Sequence, residues 1–539
     1  MTTFVDDFLT LIAEKKQPTT NSERGLSLFS FVTSPEYITS EILLSVLYRQ
    51  LGFSDFASTS ADKYIPFLSR DLKKMVTSSN AFTAPPFSTD EIRQLLEDIV
   101  TIPKEASQKD KYKDLLFLYP LTPYAAIFSH PIRLKSPKGS PEDQTGGTPW
   151  NPSAILKQLF VYATKDQTDL TALWNEIFTY LSIQDSEDED FFAKCFDGIL
   201  ANYVENKAEN YHKSIKWEAI TFPFDSLASL ELMPLPDRTE IVKSPHKVFA
   251  GDIRNILKLK KHFSRRQWLT LFEAYLRLSM SSFVAWTAHM HLQIHDILQS
   301  VIEEQTDIPT IEQFYKMLSF SSNTEHSIFS YGEQFAKNKR ELVVKYGPAL
   351  YYISFMLFTL KEKFSYVPDW TSAQKFLDSL KDISTFFKNE EIRKDFVSDF
   401  AQILEKNSAI LKQKRNGRIK HLDEFFNNMR QRNVADSNFG RYDQSYMSKK
   451  RSGYKSPYVV IPGSALLLTL AFCCTKRSRT VITLKSFREY LLNFGFAIKQ
   501  SQIAAFTTQL RNLGLTMDSP DAEEGVIILS PFMTEGTDK

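Results

Sequence analysis

The chain has 539 residues, with 42% apolar and 24% charged side chains, 43 Phe against 17 Gly, and 65 Lys plus Arg against 64 Asp plus Glu, a net charge of +1. This composition excludes collagen-like, disulfide-scaffold and wholly disordered classes, and it gives no whole-protein attraction to polyanions. The length implies several domains of roughly 100 to 200 residues each, and abundant aromatics with few glycines favour a helical protein over a nucleotide-binding α/β enzyme.

Met1-Thr2-Thr3-Phe4-Val5-Asp6-Asp7 carries acidic charge where a secretory signal needs a basic region. Cys195, Cys473 and Cys474 form neither a C-x-x-C pair nor an even disulfide framework, so the expectation is a cytoplasmic chain with reduced thiols. Helical spacing of Phe4, Phe8, Leu11, Ile12 and of Ile42, Leu43, Val46, Leu47 predicts an N-terminal helical domain over 1–135. Within it, Ser88-Thr89-Asp90-Glu91 is a capping box for a helix over 89–101, because hydroxyl and carboxylate satisfy orphan backbone donors.

Gly- and Pro-rich residues 136–150 predict a linker or surface loop. The acidic run at 185–190 lacks the Gly and terminal Glu of an EF-hand loop and reads as a solvated turn. Residues 215–250, with Pro223, Pro234, Pro236 and Pro245, predict an extended connector. Helical patterning then dominates 251–430, and Leu350 to Leu360 is apolar almost all round, as in the middle of a multi-helix domain. These segments define a central helical domain over 151–410, followed by a basic segment over 411–459.

Tyr346 to Leu360 is too short to span a bilayer, and Pro457, Pro462 and Gly463 interrupt Ser456 to Thr475, so no membrane insertion is expected. From 460 to 539 the pattern is a helix at 464–475, a β-like Thr480-Val481-Ile482, a helix at 484–494, a turn through Gly495, a helix at 501–513 stopped by Gly514, and strands at Leu515-Thr516-Met517 and Val526 to Leu529. That order predicts a C-terminal winged helix-turn-helix with a small β-hairpin wing, within a mainly α fold of multi-helix N-terminal and central domains.

No P-loop, dinucleotide-binding glycine turn or nucleophile elbow occurs, so no catalytic residue or cofactor is assigned. Acidic-x-Lys triplets such as Glu205-Asn206-Lys207 recur by chance and sit on no hairpin pattern. His289, His291 and His295 fall on one predicted helix, and His291 with His295 shares a face as helical metal ligands must. Without an intervening Glu base, the simpler reading is packed histidines, and no metal ligand is assigned.

Two basic regions stand out. The first holds Lys258, Lys260, Lys261, His262, Arg265 and Arg266, closed by Trp268. The second holds Lys412, Lys414, Arg415, Arg418, Lys420, Arg430, Arg432, Arg441, Lys449, Lys450, Arg451 and Lys455, twelve cations against Asp423, Glu424, Asp436 and Asp443. Such a run is often a solvated face or tether. Interleaved Asn427, Asn428, Gln431, Asn438, Tyr442, Gln444 and Tyr446 favour nucleic acid, since cations hold phosphates while amides and rings add contacts.

In the last predicted helix, Ser501, Gln502, Thr507, Thr508, Gln509, Arg511 and Asn512 are expected outward, with Gln502, Thr508 and Arg511 as candidate contacts. Ala504, Ala505, Phe506, Leu510 and Leu513 are expected inward. Asp518, Asp521, Glu523 and Glu524 make the wing acidic, which argues against its touching phosphates.

A helical chain whose basic stretch feeds Arg477-Ser478-Arg479-Thr480 through Asp518-Ser519-Pro520-Asp521 resembles the winged-helix-tailed accessory subunits of bacterial multi-gene anti-phage systems. The resemblance covers about the last 130 residues in character and implies a non-enzymatic DNA-recognition or assembly factor beside a separate ATPase or nuclease. The leading expectation is therefore a double-stranded DNA-binding subunit with weak sequence preference. A protein-only scaffold docking an ATPase or nuclease, and a metal-dependent hydrolase using His291 and His295, are the alternatives.

Overall fold

The structure is a computed structural model that describes residues 3–15, 47, 159–181, 242–303, 307–320, 327–370, 373–406, 429–431, 444–450, 456–477, 481–518 and 526–532. The expected helix at 89–101, the linker at 136–150, the acidic run at 185–190 and the boundaries at 135 and 410 lie outside the described residues.

Among the described residues the chain is mainly helical. In order come α1 (Phe4–Lys15), α2 (Gln167–Leu181), α3 (Pro245–Lys258), α4 (Arg265–Ile302), α5 (Ile311–Leu318), a short β1 (Phe329–Ser330), α6 (Phe335–Phe364), α7 (Ala373–Phe386) and α8 (Glu390–Lys406). α4 is the central element: its 38 residues start at a capping box made by Ser264 and Gln267 and extend about 57 Å. Residues 271–288 of α4 are buried without a break, which requires neighbours on every side. α3, α6 and α9 (Ser464–Arg477) supply most of them.

One sequence expectation is corrected here. The connector was expected to reach residue 250, yet α3 begins at Pro245. Proline at the first helical position has a pre-set φ and gives up only a donor that would be orphaned anyway, so it starts a helix rather than excluding one. α6 runs through Pro348. Burial of Tyr346, Ile353, Phe355, Met356 and Leu360 offsets the lost backbone hydrogen bond.

α1 packs on this same core rather than standing apart. Phe8 meets Phe355 edge-on at 5.1 Å between centroids, and Lys406 of α8 donates to Asp6 at 2.6 Å. That bond and those from Thr3 hold the Asp6 carboxyl down at about 2.

The C-terminal elements are β2 (Ser448–Lys450), β3 (Tyr458–Val460), α9, β4 (Ile482–Thr483), α10 (Leu484–Leu491), β5 (Phe496–Ala497), α11 (Ile503–Asn512), β6 (Thr516–Asp518) and β7 (Val526–Ile528). β4, β7 and β6 form an antiparallel sheet in that order. Gly495 and Gly514 have φ near +68° and +69°, the left-handed conformation glycine adopts without strain, and each ends a helical segment as the sequence predicts. The sequence did not foresee the parallel pairing of β5 with β1, which joins residues 329–330 to 496–497. Through it, and through α9 packing on α3 and α4, the chain on both sides of residue 460 enters one continuous core of buried side chains.

No helix among the described residues is long and apolar enough to cross a membrane. α9, the more apolar of the two suspect stretches, is a core helix with Leu466, Leu467, Leu470 and Ala471 fully buried.

Candidate nucleic-acid interface

Amphipathic spacing alone does not fix how α11 is rotated about its axis. Phe506 and Leu510 are buried, as expected, against Phe487, Phe496 and Tyr331. Ala504 and Ala505, expected inward, are exposed, whereas Thr507 is buried and Gln509 is turned inward. The outward face therefore reads Ser501, Ala504, Ala505, Thr508, Arg511 and Asn512, a continuous stripe at helical spacing. Thr508 and Arg511 lie where the sequence put them, while Gln502 is half-buried beside Gly332.

The inward side of α11 is fixed by polar contacts. Gln509 Nε2 donates to the Pro462 carbonyl at 2.7 Å, and Tyr331 Oη donates to Gln509 Oε1 at 3.0 Å. One residue further, Gly332 N–H donates to the Val460 carbonyl, and Val460 N–H donates back to Glu333, which also pairs with Lys499. Residues 331–334 thus lie between β3 on one side and the start of α11 on the other.

β2 and the Arg430 bridge beside it carry the described part of the basic segment. Lys449 and Lys450 sit on β2, in antiparallel register with Val459 and Tyr458, and Arg430 bridges to Ser448. The Arg430 guanidinium stacks over the Tyr458 ring at 4.7 Å, an arrangement worth about 0.5–2 kcal/mol. Tyr446, Met447 and Met429 are buried beneath this ladder, and Ser445 accepts from the buried Arg277 of α4 at 2.8 Å. Residues 429–431 and 444–450 are thus docked structure, not a tether. Lys412, Lys414, Arg415, Arg418, Lys420, Arg432, Arg441, Arg451 and Lys455 lie outside the described residues.

The first basic region divides. Lys258, Lys261 and His262 are exposed at the end of α3 and the turn after it. Lys260 Nζ, in contrast, donates to the Tyr180 carbonyl at 2.6 Å, and Arg265 Nη2 donates to the Leu181 carbonyl at 2.5 Å. These two cations satisfy carbonyls at the C-terminal end of α2, where the helix dipole is negative. Arg265 is only 2% exposed, so it leaves the candidate set: its charge is spent on the interior. Arg266 has no described side chain.

The two basic regions also fall at opposite ends of α9. Gln444 and Tyr446 meet its start at Gly463, while Phe472, further along it, packs on Phe532, which in turn packs on Phe263. The nine-residue rise from Gly463 to Phe472 separates them by about 14 Å along the helix. α11 belongs with the Arg430 and Lys449 end, through Gln509 and Pro462.

The histidines do fall on one helix, α4. The His289 ring N–H donates to Met317, and His291 donates to the Thr287 carbonyl at 2.9 Å. His291 is fully buried against Tyr346, which pushes its pKa down to about 3. His295 pairs with Asp296 and packs on Tyr352. Among the described residues no three His, Cys, Asp or Glu side chains are grouped as a metal site. Cys473 and Cys474 are buried and outside any disulfide, and the Cys473 thiol donates to the Asp252 carbonyl at 3.9 Å.

Tyr331, Gln509 and Tyr458 are the contributors that sequence reasoning missed. Tyr331 lies 178 positions from Gln509, and no local pattern marks such a contact.

No protein-family model matches the chain, and no curated protein matches it.

Proposed function

We propose that the chain is a non-catalytic subunit that binds double-stranded DNA within a larger assembly, with the C-terminal unit acting as a winged helix and α11 as the helix offered to the duplex. The observation that carries this reading is the tie between α11 and the ladder: Gln509 of α11 hydrogen-bonds Pro462 just after β3, the strand paired with β2, which carries Lys449 and Lys450. The helix, strand, helix, helix and hairpin order, with the sheet order β4-β7-β6, supports the winged-helix assignment. Cations that hold phosphates give strong salt dependence and little sequence preference. An ATPase or nuclease as partner, in a bacterial anti-phage setting, rests on the resemblance of the C-terminal region. The test is binding of the purified chain to a labelled duplex at two salt concentrations, with Arg415, Arg418, Lys449, Lys450 and Arg451 changed to Glu as control. Salt-sensitive binding that vanishes in the control is expected; equal binding by the control ends the reading.

One observation favours the protein-scaffold alternative. Val481, just before β4, and Met517 of β6 are 66% and 51% exposed, and exposed apolar side chains beside a sheet are a common protein-docking feature. Partner capture that duplex DNA fails to displace, with no DNA binding by the chain itself, would favour that reading.

A further inference from the structure

We infer that Tyr331 and Gln509 form a positioning clamp that sets the rotation of α11 relative to the cationic β2–β3 ladder, so that both engage one duplex; this rests on the nucleic-acid reading above. α11 has only ten residues, and its apolar anchors, buried Phe506 and Leu510 with half-buried Ile503 and Leu513 at either end, form one narrow stripe along the helix. An apolar contact along one line resists separation but resists rotation weakly, because dispersion has no direction. Hydrogen bonds are directional and do resist it.

Gln509 makes two such bonds with both ends of its amide, donating to Pro462 and accepting from Tyr331. The Tyr331 hydroxyl also lies 3.4 Å from the Ala505 carbonyl, one turn earlier on the same helix. Burial raises the phenol's pKa, so it stays protonated and able to donate.

The other ends of the clamp belong to the ladder. Pro462 lies two residues beyond β3, and residues 332–334 are paired with Val459 and Val460 of β3. Opposite Tyr458 and Val459 stand Lys450 and Lys449, with Arg430 stacked on Tyr458. Two groups on one protein bind one rigid duplex only if their relative orientation is held, and a side chain that holds it contributes affinity without touching DNA.

The experiment compares the full-length chain with Tyr331→Phe, Gln509→Met and the double variant on a labelled mixed-sequence duplex at several salt concentrations. Each single variant is expected to bind about fivefold more weakly, the worth of one neutral hydrogen bond. Stoichiometry and the slope of affinity against salt should be unchanged, because no phosphate contact is removed. The double variant should be little weaker than either single one, since both remove the same device. Wild-type affinity in the single variants, even with a lowered melting temperature, would reduce the pair to packing and overturn the inference while leaving DNA binding intact. A salt slope that falls with affinity would make Gln509 a direct contact and also overturn it. Failure of the unaltered chain to bind any duplex would overturn the clamp together with the reading it rests on.

Discussion

Tyr490 of α10 donates its hydroxyl proton to Asp252 of α3 at 2.8 Å, across 238 positions of sequence and inside the core. Tyr275 of α4 donates to the same oxygen at 2.7 Å. One acidic side chain thereby ties the C-terminal unit to the two helices at the centre of the molecule. A buried acid is costly unless hydrogen-bonded, so the three residues stand or fall together.

Tyr490→Phe keeps the ring and removes one bond, and should lower unfolding stability by about 1–3 kcal/mol. Asp252→Ala should cost more, because it strands two buried hydroxyls. Urea denaturation of the two variants checks both the size and the order; an Asp252→Ala protein as stable as wild type would show that the hub contributes nothing.

Arg265→Gln and Lys258→Gln separate the interior cation from the exposed one. Arg265→Gln should destabilise the chain by roughly 1.5–3 kcal/mol, the range for a charge-assisted bond, with DNA affinity unaltered in the folded fraction. Lys258→Gln should leave the melting temperature within experimental error. Calorimetry on both variants decides, and equal melting temperatures would contradict the capping role of Arg265 at α2.

Arg430→Gln with Lys449→Gln removes two cations from the ladder. Under the DNA reading the log–log salt slope should fall by up to about 0.9 for each phosphate released. Fluorescence anisotropy across a salt series measures it. A weaker complex with an unchanged slope would place these cations away from the phosphates.

His291 gives the chain a defined pH dependence. Its pKa is about 3 in the fold against 6.5 when exposed, because burial disfavours the charged ring. Between those values the unfolded chain binds a proton that the folded chain does not, so stability falls as pH drops below 6.5, with a limiting slope of about 1.4 kcal/mol per pH unit. His291→Phe should flatten that portion of the stability profile. Denaturant midpoints from pH 7 to pH 5 test it, and a parallel profile in the variant would assign the slope to other groups.

Gly463→Ala probes how the basic ladder is docked. A methyl group at Gly463 would lie 2.2 Å from the Gln444 carbonyl oxygen, a backbone atom that cannot swing aside. The expected cost is about 1–3 kcal/mol, as for overpacked cores, seen as earlier proteolysis between residues 429 and 463. Wild-type protease resistance in this variant would show that the approach relaxes freely.

The C-terminal unit was the most legible part of the sequence, because its signals are local. A 3.6-residue period in Leu484 to Leu491, short strand-like runs at 515–517 and 526–529, and Gly495 and Gly514 at helix ends each act within a few positions. The start of α3 was misread because Pro245 was taken as a connector residue, although proline at a first helical position obeys the same backbone rule. α11 was identified correctly as a helix but turned wrongly, since Ala504 and Ala505 suit either face and only Gln509 and its distant partners select one.

The sequence by itself therefore determined a mainly helical fold, the order of its C-terminal elements and the presence of two concentrations of positive charge. All three follow from covalent neighbours, whose spacing sets periodicity and local charge density. Tertiary structure alone decided which of those charges face outward. Lys260 and Arg265 were drawn inward because the carbonyls at the end of α2, some 80 positions earlier, need donors, whereas Arg430 and Lys449 were set beside α11 by residues 331–334. The physical reason is that burial and hydrogen bonding are satisfied between segments that meet only when the chain is folded.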